Sequence, residues 1–161
     1  KDVVNDVHVI RSDVAQLDHT KLLRQVSSLD LIYHLAADGV MRKSAEDPIS
    51  TMATNVMGTA HMLELGRKLD VRRFVHSGSC FEYGSGTLLR EDAELPPPTT
   101  AYAGSKAAAH LLVGTFACCY GMPVVSLRPF NVYGPFEAPE HHFLKEMLIP
   151  DASRAALGPE S

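Results

Sequence analysis

The sequence predicts an α/β chain whose parallel sheet is covered by helices, and three observations carry that reading. Apolar runs of strand length alternate with helical segments, the order that parallel crossover units require. The strands are nearly continuously apolar, with no polar face reserved for solvent, as in sheets covered on both sides. No internal repeat or low-complexity segment interrupts the pattern, so one layered structure accounts for the chain.

Taken in order, Val7-His8-Val9-Ile10 reads as a short strand, followed by Asp13-Val14 and a polar turn. Thr20 to Val26 is a short helical stretch. Leu29 to Ala37 is a mostly apolar run of strand length that ends in small residues. A longer helix is predicted over 48–69, because Ile49, Met52, Ala53, Val56, Ala60 and Leu63 recur on one face. Arg73-Phe74-Val75-His76-Ser77 is the next strand and runs into Gly78-Ser79. Gly84-Ser85-Gly86 and Pro96-Pro97-Pro98 punctuate a loop. Thr99 and Thr100 are capping residues for a helix over 102–120, which Gly121 ends. Val124 to Arg128 is a further strand, and a helix is expected from about Phe143.

The 161 residues amount to about one domain, and 45% apolar composition suffices for a single core. A net charge of −4 offers no basic face for nucleic acid, while small phosphorylated ligands remain open because local donors hold them. No apolar run reaches the ~18 residues that a membrane span needs. The first residues, Lys1 to Asp6, have no apolar core of a secretory signal, and the missing initiator Met suggests a start within a longer protein. Three cysteines, two of them adjacent, make a poor disulfide framework, so reduced thiols and a cytoplasmic location are expected. Cys118 and Cys119 are expected in or near the core. His141-His142 form no metal-ligand pattern.

The sharpest feature is Tyr102-Ala103-Gly104-Ser105-Lys106 at a helix start. A spacing of four puts Tyr102 and Lys106 on one face. An ammonium beside a phenol favours the phenolate, so the Tyr102 pKa is expected to fall towards neutrality, as a general acid/base for a sugar hydroxyl requires. Ser79 lies 23 residues upstream, just past a strand end, where parallel sheets present ligand-binding groups. Its hydroxyl can both donate to and accept from a substrate oxygen. Cys80, next to it, has no base in the sequence to make it a nucleophile.

Six segments in order, "SDV" (12–14), "HLAA" (34–37), "NVMGT" (55–59), "HSGSCFEYG" (76–84), "YAGSK" (102–106) and "RPFNVYGP" (128–135), resemble the extended short-chain dehydrogenases, specifically the NAD-dependent epimerase/dehydratase group acting on nucleotide sugars. The resemblance implies a Rossmann-type doubly wound sheet over 1–135 and the start of a substrate-binding subdomain over 136–161. It implies NAD or NADP as cofactor, with Asp13 and Val14 at the adenine and Leu35, Ala36 and Ala37 along the dinucleotide. Asn55 and Ser77 would face the cofactor, and Pro129 and Val132 would flank the nicotinamide. Ser79, Tyr102 and Lys106 would be the catalytic set, with Lys106 also holding the ribose. Ser79, Cys80, Phe81 and Asn131 would meet a nucleotide-diphosphate sugar. A homodimer through the helices at about 48–69 and 102–120 is implied as well.

Two departures from the family pattern shape the expectation. The dehydratases follow the Ser/Thr position with Asp-Glu, and Cys80-Phe81 cannot transfer protons as that pair does. An epimerase working at a sugar carbon, C4 for this family, is therefore expected, with a keto-sugar reductase as the alternative. A non-catalytic scaffold or an inactive fragment is the alternative of another class, against which the intact Ser79, Tyr102 and Lys106 argue. Glu82 occupies a place usually apolar, where it either accepts a hydrogen bond from a substrate hydroxyl or faces a loop. The second departure is the absence of the Gly-rich strand–loop–helix with which the family begins. In the strand order 3-2-1-4-5-6, residues 7–10 would be the third strand and 29–37 the fourth. The chain is accordingly expected to be a piece of a larger protein, unable by itself to hold NAD tightly.

Overall fold

The computed structural model describes residues 7–84, 89–130 and 132. The chain divides into two compact units, Lys1–Arg128 and Pro129–Ser161. The expected boundary at 135–136 and the helix from Phe143 lie outside the described residues.

Three strands, β1 (Leu31–His34), β2 (Arg73–Ser77) and β3 (Val124–Leu127), form a parallel sheet in the order β1-β2-β3. Ile32 lies opposite Phe74 and His34 opposite His76, while Ser77 lies opposite Leu127. Helix α1 (His19–Gln25) precedes the sheet, α2 (Met41–Glu46), α3 (Pro48–Met52) and α4 (Gly58–Lys68) lie between β1 and β2, and α5 (Ala101–Tyr120) joins β2 to β3. The expected fold class holds: a parallel α/β sheet, incomplete as a doubly wound one.

Local chemistry sets the helix ends. Asp47 Oδ1 accepts the Ser50 N–H at 3.0 Å, and Pro48 occupies the first turn of α3, where its missing N–H costs nothing. A π-helical segment, Ala53–Met57, joins α3 to α4 without leaving helical backbone. Thr100 caps α5 through the Ala103 N–H at 3.0 Å, and Gly121 closes it in the left-handed region at φ 63°.

Ile32 and Phe74 face α4 and α5, and with Leu63, Val71, Val113 and Met122 they make the core. The opposite sheet face is open among the described residues. Leu31, Tyr33, Val125 and Leu127 are exposed there, and a shallow cavity of about 380 Å³ lies over Leu31, Tyr33, Arg73 and Val75.

Three expectations need correction. Val7–Ile10 forms no strand: Val7 and Val9 stand exposed, and among the described residues no neighbour supplies the ladder that holds a strand this short. The first sheet strand covers only 31–34, and α2 was not expected, since its side chains are exposed except for half-buried Met41 and buried Ser44 and so show no apolar stripe. Cys118 and Cys119 are exposed, because the buried stripe of α5 (Ala103, Lys106, Ala109, Val113) ends before them.

Candidate active site

The polar side chains that the core excludes collect at the carboxyl ends of the strands. Past β2 the backbone turns through a 3₁₀ segment, Cys80–Tyr83, with Ser79 as its N-cap. The Ser79 hydroxyl accepts the Phe81 N–H at 3.3 Å, and the Glu82 carboxylate reaches back to the Ser79 N–H at 2.7 Å. This is a capping box, and it fixes the serine's backbone. Gly78 is obligatory here, because a Cβ would stand 2.7 Å from the Leu127 carbonyl oxygen and press on the Glu82 carboxylate.

The first turns of α5 deliver the tyrosine and the lysine to this turn. Tyr102 packs edge-on against Phe81, ring centroids 5.9 Å apart, and its phenol feels the Ser79 side chain. Lys106, 4% exposed, donates to the Ser77 carbonyl at 2.9 Å. Ser77, Ser79, Tyr102 and Lys106 therefore converge, with Cys80 and Phe81 beside them.

The electrostatics differ from expectation. Burial pushes the Tyr102 phenol above its ordinary value, with the charges of Cys80 and Glu82 adding to it, while the Ser79 hydrogen bond pulls the other way. The Lys106 ammonium is directed at the Ser77 carbonyl, and its own pKa is lowered by burial against the pull of Glu82. A one-turn spacing along a helix carries no information about desolvation, which is the larger effect. Burial also raises the Cys80 thiol, so it is no ready nucleophile.

Asn55, in the π-helical segment, is buried and fully engaged. Its Oδ1 accepts the Asp38 N–H at 2.7 Å, and its Nδ2 donates to the Asp38 carbonyl at 3.0 Å and to Ser105 Oγ at 2.8 Å. Ser105 in turn donates to the Tyr102 carbonyl at 2.8 Å. The loop after β1 is thereby tied to the turn of α5 that bears Tyr102. Beneath it, His34 and His76 stack at 5.9 Å on adjacent strands. Thr59 gives its one hydroxyl proton to the Asn55 carbonyl at 2.6 Å, so His34 Nε2 is the donor to Thr59 Oγ1 at 3.0 Å. Burial, with the Lys106 charge behind it, lowers His34 to about 4 and His76 to about 3.

The other expected cofactor residues are spread more widely. Leu35, Ala36 and Ala37 follow β1 directly and are exposed at the strand end. Asp13 caps a 3₁₀ turn through the Ala15 N–H at 2.9 Å, and Val14 packs so closely on α4 that a Cβ at Gly58 would lie 2.9 Å from its Cγ2. Pro129 and Val132 belong to the second unit, and Asn131 lies outside the described residues. The exposed small side chains at 36–37 permit close backbone approach, and Lys106 has ammonium protons beyond the one given to Ser77. Both fit a dinucleotide.

Sequence reasoning missed the role of Glu82. Neither expectation for it holds, since it is 2% exposed and its oxygens take the Ser79 N–H and, at 2.8 Å, Arg128 Nε. The signal was present as Ser79-x-x-Glu82, the spacing of a capping box.

A parallel sheet with a polar cluster at its carboxyl edge, approached by a Tyr-x-x-x-Lys helix, defines a ligand-binding α/β protein. The family described as the NAD dependent epimerase/dehydratase family matches residues 1–160, and this chain belongs to it. Human dTDP-D-glucose 4,6-dehydratase is 34% identical over 133 residues, covering 81% of this chain and 38% of that protein. Among solved structures, the Thermus thermophilus UDP-glucose 4-epimerase complex with NAD is similar with a TM-score of 0.69 and 29% identity, covering 80% of this chain and 42% of that one. Pseudomonas aeruginosa RMD complexed with NADPH gives a TM-score of 0.74 and 26% identity over 91% of this chain and 49% of that one. The chain thus spans less than half the length of each of these relatives.

Proposed function

We propose that the protein is an NAD(P)-dependent nucleotide-sugar epimerase-type oxidoreductase that moves a hydride at a sugar carbon, C4. The observation that carries this reading is the convergence of Ser79, Tyr102 and Lys106 at the strand ends. The likeness to a UDP-glucose 4-epimerase bound to NAD supports it. The nicotinamide, when bound, supplies the hydride acceptor and donor. Tyr102 takes the sugar hydroxyl proton at its phenolic oxygen and returns it, Ser79 Oγ holds the same sugar oxygen, and Lys106 tunes the phenol and holds the ribose. Leu35, Ala36, Ala37 and Asn55 stand on the cofactor side, Cys80 and Phe81 on the sugar side. A dehydratase is disfavoured because Cys80 is a neutral thiol and Phe81 has no proton to transfer. A keto-sugar reductase is the second reading, favoured by the likeness to the NADPH-bound Pseudomonas protein and served by the same three residues.

The homodimer belongs to the same proposal, since Ile49 on α3, Met57 in the π-helical segment and Leu111 on α5 are exposed.

Tyr102→Phe in the intact protein is expected to lower kcat by at least about a hundredfold while calorimetric NAD(P) affinity is kept. Survival of turnover in Tyr102→Phe would remove Tyr102 as the proton carrier, whereas an intact protein with no turnover and a function that survives the substitution would be a binding scaffold. Release of reduced product with stoichiometric cofactor consumption would select the reductase.

A further inference from the structure

Three segments meet at one carboxylate, and a fourth joins through its arginine partner. Glu82 Oε1 takes the Ser79 N–H at 2.7 Å, and Oε2 takes Arg128 Nε at 2.8 Å, with His110 Nδ1 at 3.8 Å. The Arg128 guanidinium lies over the Tyr83 ring at 4.8 Å and reaches the Glu91 carbonyl at 3.3 Å. Its remaining nitrogen donates to His110 Nε2 at 3.0 Å, which leaves the His110 proton on Nδ1 for Ser126 Oγ at 3.2 Å. Arg128 therefore joins the end of β3, α5 and the loop at 91 to the turn that carries Ser79. A capping box alone would need only the Ser79–Glu82 contacts. The guanidinium adds a second anchor, held by protein groups on each side.

We propose that Glu82, clamped by Arg128, is the positioning residue for Ser79, acting through the Ser79 amide and through its charge behind Tyr102 and Lys106. This inference rests on the hydride-transfer reading. The groups facing Tyr102 are Ser79, Cys80 and Glu82 from the β2 turn, with Lys106 one turn on in α5. Glu82 faces Arg128 from the end of β3, and His110 and Lys106 from α5. His34 and His76 feel Lys106 from the strands. Glu82 raises the phenol and the ammonium alike. Its removal with Arg128 retained leaves net positive charge behind Tyr102, and removal of Arg128 leaves net negative charge.

The test is the pH profile of kcat in the intact protein with NAD(P) and nucleotide sugars. In Glu82→Gln the rise of the rate with pH should move to lower pH, and in Arg128→Gln to higher pH. Glu82→Gln keeps an acceptor for the Ser79 amide and should lose about tenfold in kcat, whereas Glu82→Leu should lose about a hundredfold, with cofactor affinity unchanged in both. A merely structural ion pair would lower kcat in both Gln variants without opposite displacements, and that result, or unchanged kcat, overturns the inference. If Tyr102→Phe keeps full turnover, the reading beneath it fails instead. Hydrogen exchange of the Ser79 amide then decides the positioning by itself, as it does if Arg128→Gln fails to fold: faster exchange in Glu82→Leu, which removes the acceptor, supports it, and unchanged exchange overturns it.

Discussion

At Gly78 the space for a side chain is already taken by the Leu127 carbonyl and the Glu82 carboxylate. Gly78→Ala should therefore push β2 from β3 and disturb the capping box at Ser79, at a cost of about 1–3 kcal/mol in denaturant melts. On the proposed function, turnover should fall more than stability does, since the displaced atoms border Ser79. At this scale the sequence was legible where a residue's role is local. Ser79, Tyr102 and Lys106 follow from order and spacing, and the structure brings them together. The direction of the Tyr102 pKa was not legible, because it depends on how deeply α5 is buried against the β2 turn. Glu82 sits between these cases: its capping contact is local, but its partner Arg128 is 46 residues away.

Elements with strong end signals were read most closely. The expected β2 matches residue for residue, and α5 differs by one residue at its start, since Thr100 and Gly121 mark its limits. The helix over 48–69 was found as one piece, yet the π-helical segment inside it was not. One extra residue in a turn barely disturbs an apolar stripe, but it turns Asn55 inward to Asp38 and Ser105. Asn55→Ala should strand the half-buried Asp38 amide, costing about 1–3 kcal/mol. Urea melts and faster amide exchange at Asp38 would measure it, and an unchanged melt would mean that water replaces the side chain. The expected strand at 7–10 failed for a nonlocal reason too, because a strand is completed by its neighbour rather than by its own residues.

Over the whole molecule, the most consequential titration is that of His34 and His76. Their folded values, about 4 and about 3, lie below the ordinary 6.5, so the unfolded chain binds more protons below that pH. The stabilising contribution is complete above pH 6.5 and is lost as pH falls towards the folded values. Each histidine adds about 1.4 kcal/mol per pH unit to the slope within that window. Unfolding of the intact protein measured between pH 7 and pH 4.5 should show this slope, and His76→Met should flatten it. An unchanged slope would mean that the stacked pair is reached by protons without unfolding.

Strands β1 and β2 each divide the inward face between an apolar half and a polar half. Ile32 is two residues before His34, and Phe74 two before His76, so the core lies under one end of the sheet and the imidazoles under the other. A chain built this way can exchange apolar side chains at the first end while holding its polar cluster, and can alter polar ones at the second while holding its fold. Changes that tune stability and changes that tune the polar site would then draw on different residues, separated by less than about 10 Å of strand at about 3.3 Å per residue.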